Sequence, residues 1–333
     1  RREIVGGVTA HTGTIPSKSL REAVLYLCGW REKGIYGRSH RVKSDITAQD
    51  LFQRLNITVQ HEIEIIEHQL QRNGVRVIHG MAKFLDSHTV RITSITGQSA
   101  DYQADKIVIA TGTVPHRPDN IPFDDETIID SDGLLQIKAI PRSMTVIGAG
   151  VIGVEYATIF SALDAKITLV DNRDTILDFV DADIVDEFRH ELMSRGIKLR
   201  LGEESESAEK AGDAAARLAR AGGKRIRSDL LMVAAGRTGA TAGLDLDKAG
   251  VPVDARGRLT VQPTYQTEVP HIYAVGDVIG FPALASTSAE QGRLAACHAF
   301  GSSADAATDY FPLGIYAVPE ISIVGKTEQQ LRK

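Results

Sequence analysis

The stretch from Thr145 to Asp171 constrains the fold of this chain more than any other part of the sequence. An apolar run at Met144–Ile147 ends in a glycine-rich turn, and residues compatible with a helix follow it. A second apolar run, Ile167–Val170, ends on Asp171, eighteen residues after Gly153. This succession of strand, glycine turn, helix, strand and acidic residue is typical of a βαβ unit that binds a dinucleotide.

The turn contains three glycines with separate physical roles. Gly148 permits the tight turn, Gly150 lets the backbone approach the pyrophosphate, and Gly153 lets the helix pack closely on the strand. The helix beginning near Val151 and Ile152 would offer its free N–H groups to the phosphates. The alternative interpretation is a glycine-rich strand–helix turn that serves packing alone.

Length and composition narrow the class of protein. The chain has 333 residues, enough for two or three domains, with 43% hydrophobic and 24% charged residues. A net charge of −5 gives no reason to propose nucleic acid or an anionic membrane as a partner. No apolar stretch approaches the ~20 residues of a membrane span. With no visible secretory signal and only Cys28 and Cys297, we predict a cytoplasmic protein without a disulfide framework or metal site.

Elsewhere the hydrophobic pattern predicts further elements. Asp45–Gln71 has a helical period, and Val75–His79 and Thr89–Thr93 are typical of strands. Lys106–Gly112 predicts a buried strand that ends in a tight turn. Glu203–Gly223 is alanine-rich, charged and without a clean period, so we expect a short helix or an irregular surface excursion there, without chemistry.

Apolar runs that end in glycine occur at Lys106–Gly112, Leu230–Arg237 and Ile272–Asp277. Such runs predict strand ends that meet at ligands. The motif order along the chain is GTIPSK at Gly13–Lys18, then ATG, GxGxxGxE, AAGR and VGD. In this order and spacing the chain resembles the flavoprotein disulfide reductase superfamily, and the resemblance covers essentially the whole chain.

The resemblance implies an α/β fold with two Rossmann-like three-layer nucleotide-binding domains, one for FAD and one for NAD(P). Residues 1–112 and 238–305 would form a discontinuous FAD domain, 113–237 the NAD(P) domain, and 306–333 the start of an α+β interface domain. The family's amino-terminal FAD βαβ unit is missing, and the chain opens on Arg1 rather than Met. We therefore expect both ends to lie inside a larger protein, which would be a homodimer or a larger homo-oligomer.

One departure from the family pattern concerns the redox disulfide. Reductases of the superfamily carry two cysteines in the loop at Ile-Pro-Ser-Lys, and here those positions are Thr9 and Thr14. A hydroxyl can neither form nor attack a disulfide. Together with His11, the Gly13–Lys18 run resembles the disulfide-free branch of the superfamily, the soluble pyridine nucleotide transhydrogenases. This resemblance implies an oxidoreductase of the Si-specific type that moves hydride between NADP(H) and NAD(H) through FAD.

Two other functions stay open on the residues alone. The first is an FAD-dependent NAD(P)H reductase of a quinone or another small acceptor, since a flavin without a neighbouring disulfide would allow that reaction. The second is a non-catalytic nucleotide-binding fragment, since part of the expected FAD site is missing from the chain.

The resemblance also implies roles for individual residues. Lys18 matches the family lysine beside the flavin, and Glu155 matches its usual partner. An ammonium next to a carboxylate keeps its charge and can stabilise negative charge on a flavin. Thr14 would pack by the isoalloxazine, and Asp277 would bond the ribityl chain. The other expected FAD-binding residues are Gly13, Ala82, Thr111, Gly112, Gly276, Leu284 and Ala285.

Nucleotide selectivity is predicted at the end of the second strand. Asp171 would accept both ribose hydroxyls of NAD and repel a 2′-phosphate. Arg173 offers a planar fork of donors to a phosphate, and Asn172 can bond either group. Such a mixed edge suits a site that admits both nucleotides; the alternative is that Arg173 only pairs with Asp171 or Asp174. The expected NAD(P)-binding residues are completed by Gly148, Gly150, Val151, Ile152, Gly153, Glu155 and Gly236.

Overall fold

The computed structural model describes residues 5–37, 39–212, 215–220, 223–304 and 310–332. These residues form two compact units. Unit 1 contains the described residues of the ranges 1–14, 59–114 and 237–309, and unit 2 those of 15–58, 115–236 and 310–333. Residues 15–58 therefore group with most of the expected NAD(P) domain and not with the rest of 1–112. The expected boundary between residues 305 and 306 lies outside the described residues.

The α-helices of the described residues include the helix expected over Asp45–Gln71 and the helix expected after the glycine turn. They are α1 (Gly7–His11), α2 (Thr14–Leu27), α3 (Lys33–Tyr36), α4 (Ala48–Arg72), α5 (Val151–Ala162), α6 (Ala182–Ser194), α7 (Ala285–Ala299) and α8 (Glu328–Leu331). The helix expected over Asp45–Gln71 is thus present as α4. Short 3₁₀ turns occur at Trp30–Glu32, Gly133–Gln136, Leu246–Ala249 and Gly276–Ile279.

The strands of the described residues are short. They are β1 (Met81–Phe84), β2 (Thr89–Thr93), β3 (Ser99–Gln103), β4 (Ile107–Ile109), β5 (Thr113–Pro115), β6 (Ile128–Asp130), β7 (Ser143–Ile147), β8 (Lys166–Val170), β9 (Lys198–Arg200), β10 (Ser205–Lys210), β11 (Ala216–Arg220), β12 (Arg225–Ser228), β13 (Leu230–Val233), β14 (Arg237–Gly239), β15 (Ile272–Ala274), β16 (Leu313–Ile315) and β17 (Ile321–Ile323).

The centre of unit 2 is a five-stranded parallel sheet in the order β6-β13-β7-β8-β9. Every residue of β6 and β13 is buried, as expected for parallel strands covered on both faces. Helix α5 is buried almost all round, from Gly153 to Phe160 and at Ala162, because it crosses from β7 to β8 against the sheet. The α/β fold with a parallel sheet that the sequence predicted is confirmed.

The prediction for Glu203–Gly223 was wrong. The described residues of this stretch belong to an antiparallel meander, β10-β11-β12, instead of a short helix or an irregular excursion. Ala208, Ala216 and Leu218 are buried on its inner face, in one cluster with Ile128 and Val170 of the parallel sheet. Two of these three buried residues are alanines, so the apolar alternation is weak in the sequence.

Unit 1 contains the antiparallel sheet β1-β2-β3 and the parallel pair β4–β15. Its core includes Phe84, Ile109 and Ile272. The strand expected at Thr89–Thr93 is present as β2. The strand expected at Val75–His79 is absent, because this segment is exposed and has no ladder partner among the described residues.

The strand expected within Lys106–Gly112 is present as β4 but is not buried throughout. Ile109 is buried, whereas the Val108 side chain is 47% exposed. Thus only one face of this strand is covered by the described residues. Strand β15 pairs with β4 in register from Ile107 to Ile109, while β13 lies in the sheet of unit 2. The three glycine-ended strands therefore belong to two sheets.

None of the described helices combines the length and the apolar character that a bilayer crossing requires. No group of three or more His, Cys, Asp or Glu side chains among the described residues is placed to hold a metal ion. Cys28 is buried and Cys297 is half-buried, and neither is in a disulfide. Burial raises the pKa of the Cys28 thiol, although the nearby Lys33 and Arg41 charges oppose the change.

Candidate nucleotide-binding site and ion pair

The glycine turn of unit 2 has the close packing that its sequence predicts. Gly148 has a φ of 103°, a backbone conformation that favours glycine, and a Cβ there would overlap the carbonyl oxygen of Ala234 at the end of β13. A Cβ at Gly153 would overlap the carbonyl oxygen of Gly148. Both positions therefore need glycine for the fold itself.

Gly150 differs from its two neighbours in the motif. Its φ is −79°, and a Cβ built on it would meet no atom within 4 Å. It is the N-cap residue of α5 and makes no side-chain capping hydrogen bond. The turn thus leaves open space at the uncapped N-terminus of a buried helix, with Val151 and Ile152 in its first turn. A dinucleotide pyrophosphate fits this arrangement of free space and N–H donors.

Asp171 lies directly beside this turn at the end of β8, with a 5% exposed residue surface. Its Oδ2 accepts a hydrogen bond of 2.6 Å from the Ala149 N–H, so the carboxylate holds the glycine turn in place. Its Oδ1 accepts the Arg173 N–H at 2.9 Å. Sequence analysis predicted Asp171 as a ribose ligand but did not predict its bond to the turn, which depends on two strands being adjacent.

The Arg173 guanidinium occupies both oxygens of the same carboxylate. Nε donates to Oδ1 at 3.0 Å and Nη2 to Oδ2 at 2.9 Å, while Nη1 donates to Asp178 at 3.0 Å. This is the pairing that the sequence left open as an alternative to phosphate binding. Asn172, between Asp171 and Arg173 in the chain, is exposed. A ribose hydroxyl that bonded to Asp171 would therefore displace donors that Arg173 now supplies.

These contacts change the acidity of Asp171. Burial opposes ionisation, but hydrogen bonds from Arg173 and from the Ala149 N–H outweigh it and hold the pKa of Asp171 below its ordinary value. The pKa in the folded protein is thus below that in the unfolded chain. The carboxylate therefore stabilises the fold above its unfolded-state pKa, and this contribution is lost as the pH falls through the folded-state value.

The predicted contact between Lys18 and Glu155 is present in unit 2. Lys18 Nζ lies 3.1 Å from Oε1 and 3.0 Å from Oε2 of Glu155. The glutamate side chain is 5% exposed and the lysine side chain 29% exposed. Helix α2 carries the lysine and helix α5 the glutamate, 137 residues later in the chain. One side of the ammonium stays accessible while the carboxylate is buried.

Sequence analysis missed a third member of this cluster. The Tyr316 N–H donates to Glu155 Oε1 at 2.8 Å, and the Tyr316 ring centroid lies 4.7 Å from Lys18 Nζ. Tyr316 follows β16, and no local motif marks it. Only the folded chain brings it to Glu155, across a sequence separation of 161 residues.

The expected flavin ligands of unit 1 have their own local geometry. Asp277 lies in the 3₁₀ turn after Gly276, whose φ is 76°. The Gly276 N–H donates to Gln291 Oε1 at 2.7 Å, and Thr113 Oγ1 lies 3.4 Å from Asp277 Oδ2. Arg237 Nε donates to Thr113 Oγ1 at 2.8 Å. These bonds fix a partly exposed carboxylate next to a glycine turn, which fits a ligand rich in hydroxyl groups.

The remaining predicted residues lie at element ends or on half-buried surfaces. Gly112 has a φ of 68° and follows Thr111, beyond β4. Gly13 packs against Val8, and Ala82 pairs with Ile92 in β1–β2. The other positions are Thr14, the first residue of α2; Leu284 and Ala285, the N-cap and first residue of α7; and Gly236, between β13 and β14. Their ligand contacts stay predictions.

Several named proteins are similar in sequence to this chain over nearly its whole length. The soluble pyridine nucleotide transhydrogenase of Mycobacterium bovis (strain BCG / Pasteur 1173P2) is 48% identical over 341 residues, covering 100% of this chain and 71% of the relative. Proteins of the same name from Colwellia psychrerythraea and Yersinia pestis are 43% and 41% identical, each covering 98% of this chain and 70% of the relative.

Solved structures share the fold. LpdA from Mycobacterium tuberculosis superposes with a TM-score of 0.91 at 26% identity, covering 99% of this chain and 72% of its own. The HOCl-induced flavoprotein disulfide reductase RclA from Escherichia coli superposes with a TM-score of 0.86 at 27% identity, covering 100% and 72%. Residues 6–292 match the family described as pyridine nucleotide-disulphide oxidoreductase, and this chain belongs to that family.

Proposed function

We propose that this chain is a flavin-dependent transhydrogenase, which moves hydride between NADP(H) and NAD(H). The observation that carries the proposal is the pair Thr9 and Thr14, which stand where the family's disulfide reductases have their redox cysteines. High identity to proteins named soluble pyridine nucleotide transhydrogenases supports it over nearly the whole chain. The open, uncapped turn at Gly150 supports nucleotide binding.

The described residues fit the two cofactors that this function needs. Bound FAD would supply the group that takes hydride from one nicotinamide and gives it to another. Asp277, Gly112 and Gly276 would hold the FAD, and Gly148–Gly153 with Asp171 would hold the pyridine nucleotide. By the family resemblance, Lys18, which contacts Glu155, would lie beside the flavin. The two threonines supply no thiol, so no electron pair leaves through a disulfide.

Three finer parts of the proposal go with this assignment. The transfer would be of the Si-specific type, the enzyme would work in the cytoplasm, and its full assembly would be a homodimer or larger homo-oligomer. We infer these from the family resemblance, with FAD, NAD and NADP as the specific cofactors. No nucleic acid or membrane partner is part of the proposal.

The direct test is reduction of thio-NAD⁺ by NADPH with the purified chain supplied with FAD and with no quinone present. We expect turnover that requires both nucleotides and the flavin, followed by the absorbance of reduced thio-NAD. A quinone-dependent oxidation of NADPH without thio-NAD⁺ reduction would favour the small-acceptor reductase. Failure to retain FAD, with nucleotide binding intact, would favour a non-catalytic fragment.

The absent redox cysteines predict a second result with the same preparation. Because Thr9 and Thr14 have no thiol chemistry, lipoamide, oxidised glutathione and oxidised thioredoxin should not increase NAD(P)H oxidation above the rate with FAD alone. The measurement is the loss of NAD(P)H absorbance with each disulfide in excess. Disulfide-dependent turnover above the flavin-only control would contradict the proposal.

The edge of the nucleotide site predicts selectivity. Replacing Arg173 with alanine should weaken NADP(H) binding by roughly 1–3 kcal/mol, the loss of a charge-assisted bond to the 2′-phosphate. NAD(H) binding should change little or improve, because no guanidinium then has to leave Asp171 before a ribose can bond to it. Titrations with NADPH and NADH, followed by flavin reduction, give both affinities.

Arg189 offers a matched control for this substitution. Its side chain is 37% exposed and pairs with Asp186 on α6, against 39% exposure for Arg173. Arg189→Ala should leave both affinities within about twofold, the range of a surface pair. An equal loss of both nucleotides in Arg173→Ala, or no loss of either, would rule out a phosphate-reading role.

A further inference from the structure

Tyr316 contacts both members of the Lys18–Glu155 pair, and it does so with two different groups. Its backbone N–H donates to Glu155 Oε1 at 2.8 Å, and its ring centroid lies 4.7 Å from Lys18 Nζ. Glu155 is buried, whereas the lysine side chain keeps 29% exposure. Among the residues that the structure describes, two donors fix the carboxylate, while the carboxylate and the ring contact the ammonium.

The backbone after Tyr316 is held firmly. Arg21 Nε donates to the Ala317 carbonyl at 3.2 Å, and the Val318 N–H donates to Thr158 Oγ1 at 3.0 Å. Arg195 Nη1 donates to the Val318 carbonyl. Ala317 and Val318 are 0% and 1% exposed. Side chains of the α2 and α5 helices and of the residue after α6 thus hold the connection between β16 and β17 in place.

The ring of Tyr316 lies against Gly314 in the preceding strand, β16. A Cβ built on Gly314 would lie 2.9 Å from Cε2 and 3.3 Å from Cζ of this ring, which is closer than side chains pack. The φ of Gly314 is outside the left-handed region, so alanine is compatible with the backbone there. An added methyl would therefore push the ring and leave the main chain in place.

We propose that Tyr316 is a positioning residue for the Lys18–Glu155 pair: its N–H orients the carboxylate and its ring orients the ammonium. A cation near an aromatic face gains about 0.5–1 kcal/mol at exposed sites and about 2 kcal/mol when desolvated, and Lys18 lies between these cases. Any effect of Tyr316 on a bound flavin rests on the proposed function. The contact of Tyr316 with the Lys18–Glu155 pair is independent of that function.

The test measures Lys18 directly, on the full chain. Competitive labelling with trace acetic anhydride, read by peptide mass spectrometry, reports how readily the Lys18 amine reacts relative to Lys138, whose side chain is 91% exposed. Tyr316→Leu should raise the relative labelling of Lys18 about three- to tenfold, the free energy of a cation–π contact. Tyr316→Phe should match the unchanged protein, because it keeps the ring.

Two further variants separate positioning from general loosening. Gly314→Ala should raise Lys18 labelling in the same direction as Tyr316→Leu, since it moves the ring and keeps the tyrosine. Phe123→Leu deletes another aromatic ring in unit 2, one whose centroid lies 4.7 Å from Arg117 Cζ, and should leave Lys18 labelling unchanged. Unchanged Lys18 labelling in both Tyr316→Leu and Gly314→Ala would overturn the proposal.

A second readout applies once the chain is loaded with FAD. The two-electron potential of the flavin should become more negative in Tyr316→Leu by up to about 30 mV, which corresponds to a tenfold change in the equilibrium constant of reduction. In Tyr316→Phe the potential should stay unchanged. If the unchanged protein does not retain FAD, the proposed function fails, and the labelling result still decides the role of Tyr316. If FAD binds and the potential moves equally in the phenylalanine variant, the ring has no positioning role.

Discussion

Replacing Lys18 with methionine is expected to lower the free energy of unfolding by about 3 kcal/mol, because it leaves a buried charge without its partner. The Glu155 carboxylate is 5% exposed and would retain only the Tyr316 N–H as donor among the bonds described above. Glu155→Gln should cost less, about 1–2 kcal/mol, since the remaining ammonium is 29% exposed and can reach water. Urea unfolding curves of the variants measure both values. If the proposed function holds, both variants should also slow flavin reduction by NADPH, because Lys18→Met removes the ammonium and Glu155→Gln removes its ionic partner.

The double variant, Lys18→Met with Glu155→Gln, measures the coupling free energy between the two side chains. If the pair is coupled, the double variant should be more stable than the sum of the two single losses predicts, by about 1–2 kcal/mol. Lys138→Met is the control, because this lysine is 91% exposed and lies 3.7 Å from Glu126; its loss should cost less than about 0.5 kcal/mol. Additive losses, or a greater cost for Glu155→Gln than for Lys18→Met, would contradict the burial argument.

Two glycine substitutions in the same motif should separate folding from nucleotide binding. Gly153→Ala should lower stability by about 3 kcal/mol or more, because its Cβ would overlap the Gly148 carbonyl oxygen and neither backbone can move freely. Gly150→Ala should cost less than about 1 kcal/mol, since its φ suits alanine and its Cβ meets nothing within 4 Å. That Cβ would instead occupy the space proposed for the pyrophosphate, so NAD(H) and NADP(H) affinity should fall at least tenfold.

Thermal unfolding and equilibrium nucleotide titrations on the two variants supply the comparison. We expect Gly150→Ala to fold normally but to bind nucleotides weakly, and Gly153→Ala to be destabilised. The unchanged protein and Gly292→Ala serve as references, since a Cβ at Gly292 also meets nothing within 4 Å and lies within α7. Full nucleotide affinity in a well-folded Gly150→Ala would mean that the pyrophosphate does not lie at this turn.

The βαβ unit could be predicted from sequence because each of its signals is local. The apolar run at Met144–Ile147, the glycine spacing and Asp171 act on neighbours within about thirty residues, and the structure has each element in its predicted place. The Lys18–Glu155 contact is not local, and only the family resemblance suggested it. The roles expected for Thr14 and Asp277 at a flavin stay predictions.

The structural features that could not be predicted from the sequence depend on residues far apart in the chain or on weak hydrophobic patterns. No local sequence pattern marks Tyr316, whose N–H reaches Glu155 only in the folded chain, directly after β16. Strands β10 and β11 bury Ala208 and Ala216, and such small side chains barely mark an inward face. Val75–His79 has the composition of a strand, but no ladder partner is present among the described residues. Strand formation there depends on a neighbour, which composition cannot supply.

The connection between β16 and β17, around Ala317, has a consequence for how the chain is made. Arg21 is 7% exposed; besides Glu22, its acceptors are Ala317 and Glu320, 296 and 299 residues later. At about 5–20 residues per second, synthesis needs roughly 15–60 s to connect them. During that interval the guanidinium lacks these two acceptors, so helix α2 cannot complete its native packing. Unit 2 therefore finishes folding only after the segment at Tyr316–Glu320 has left the ribosome.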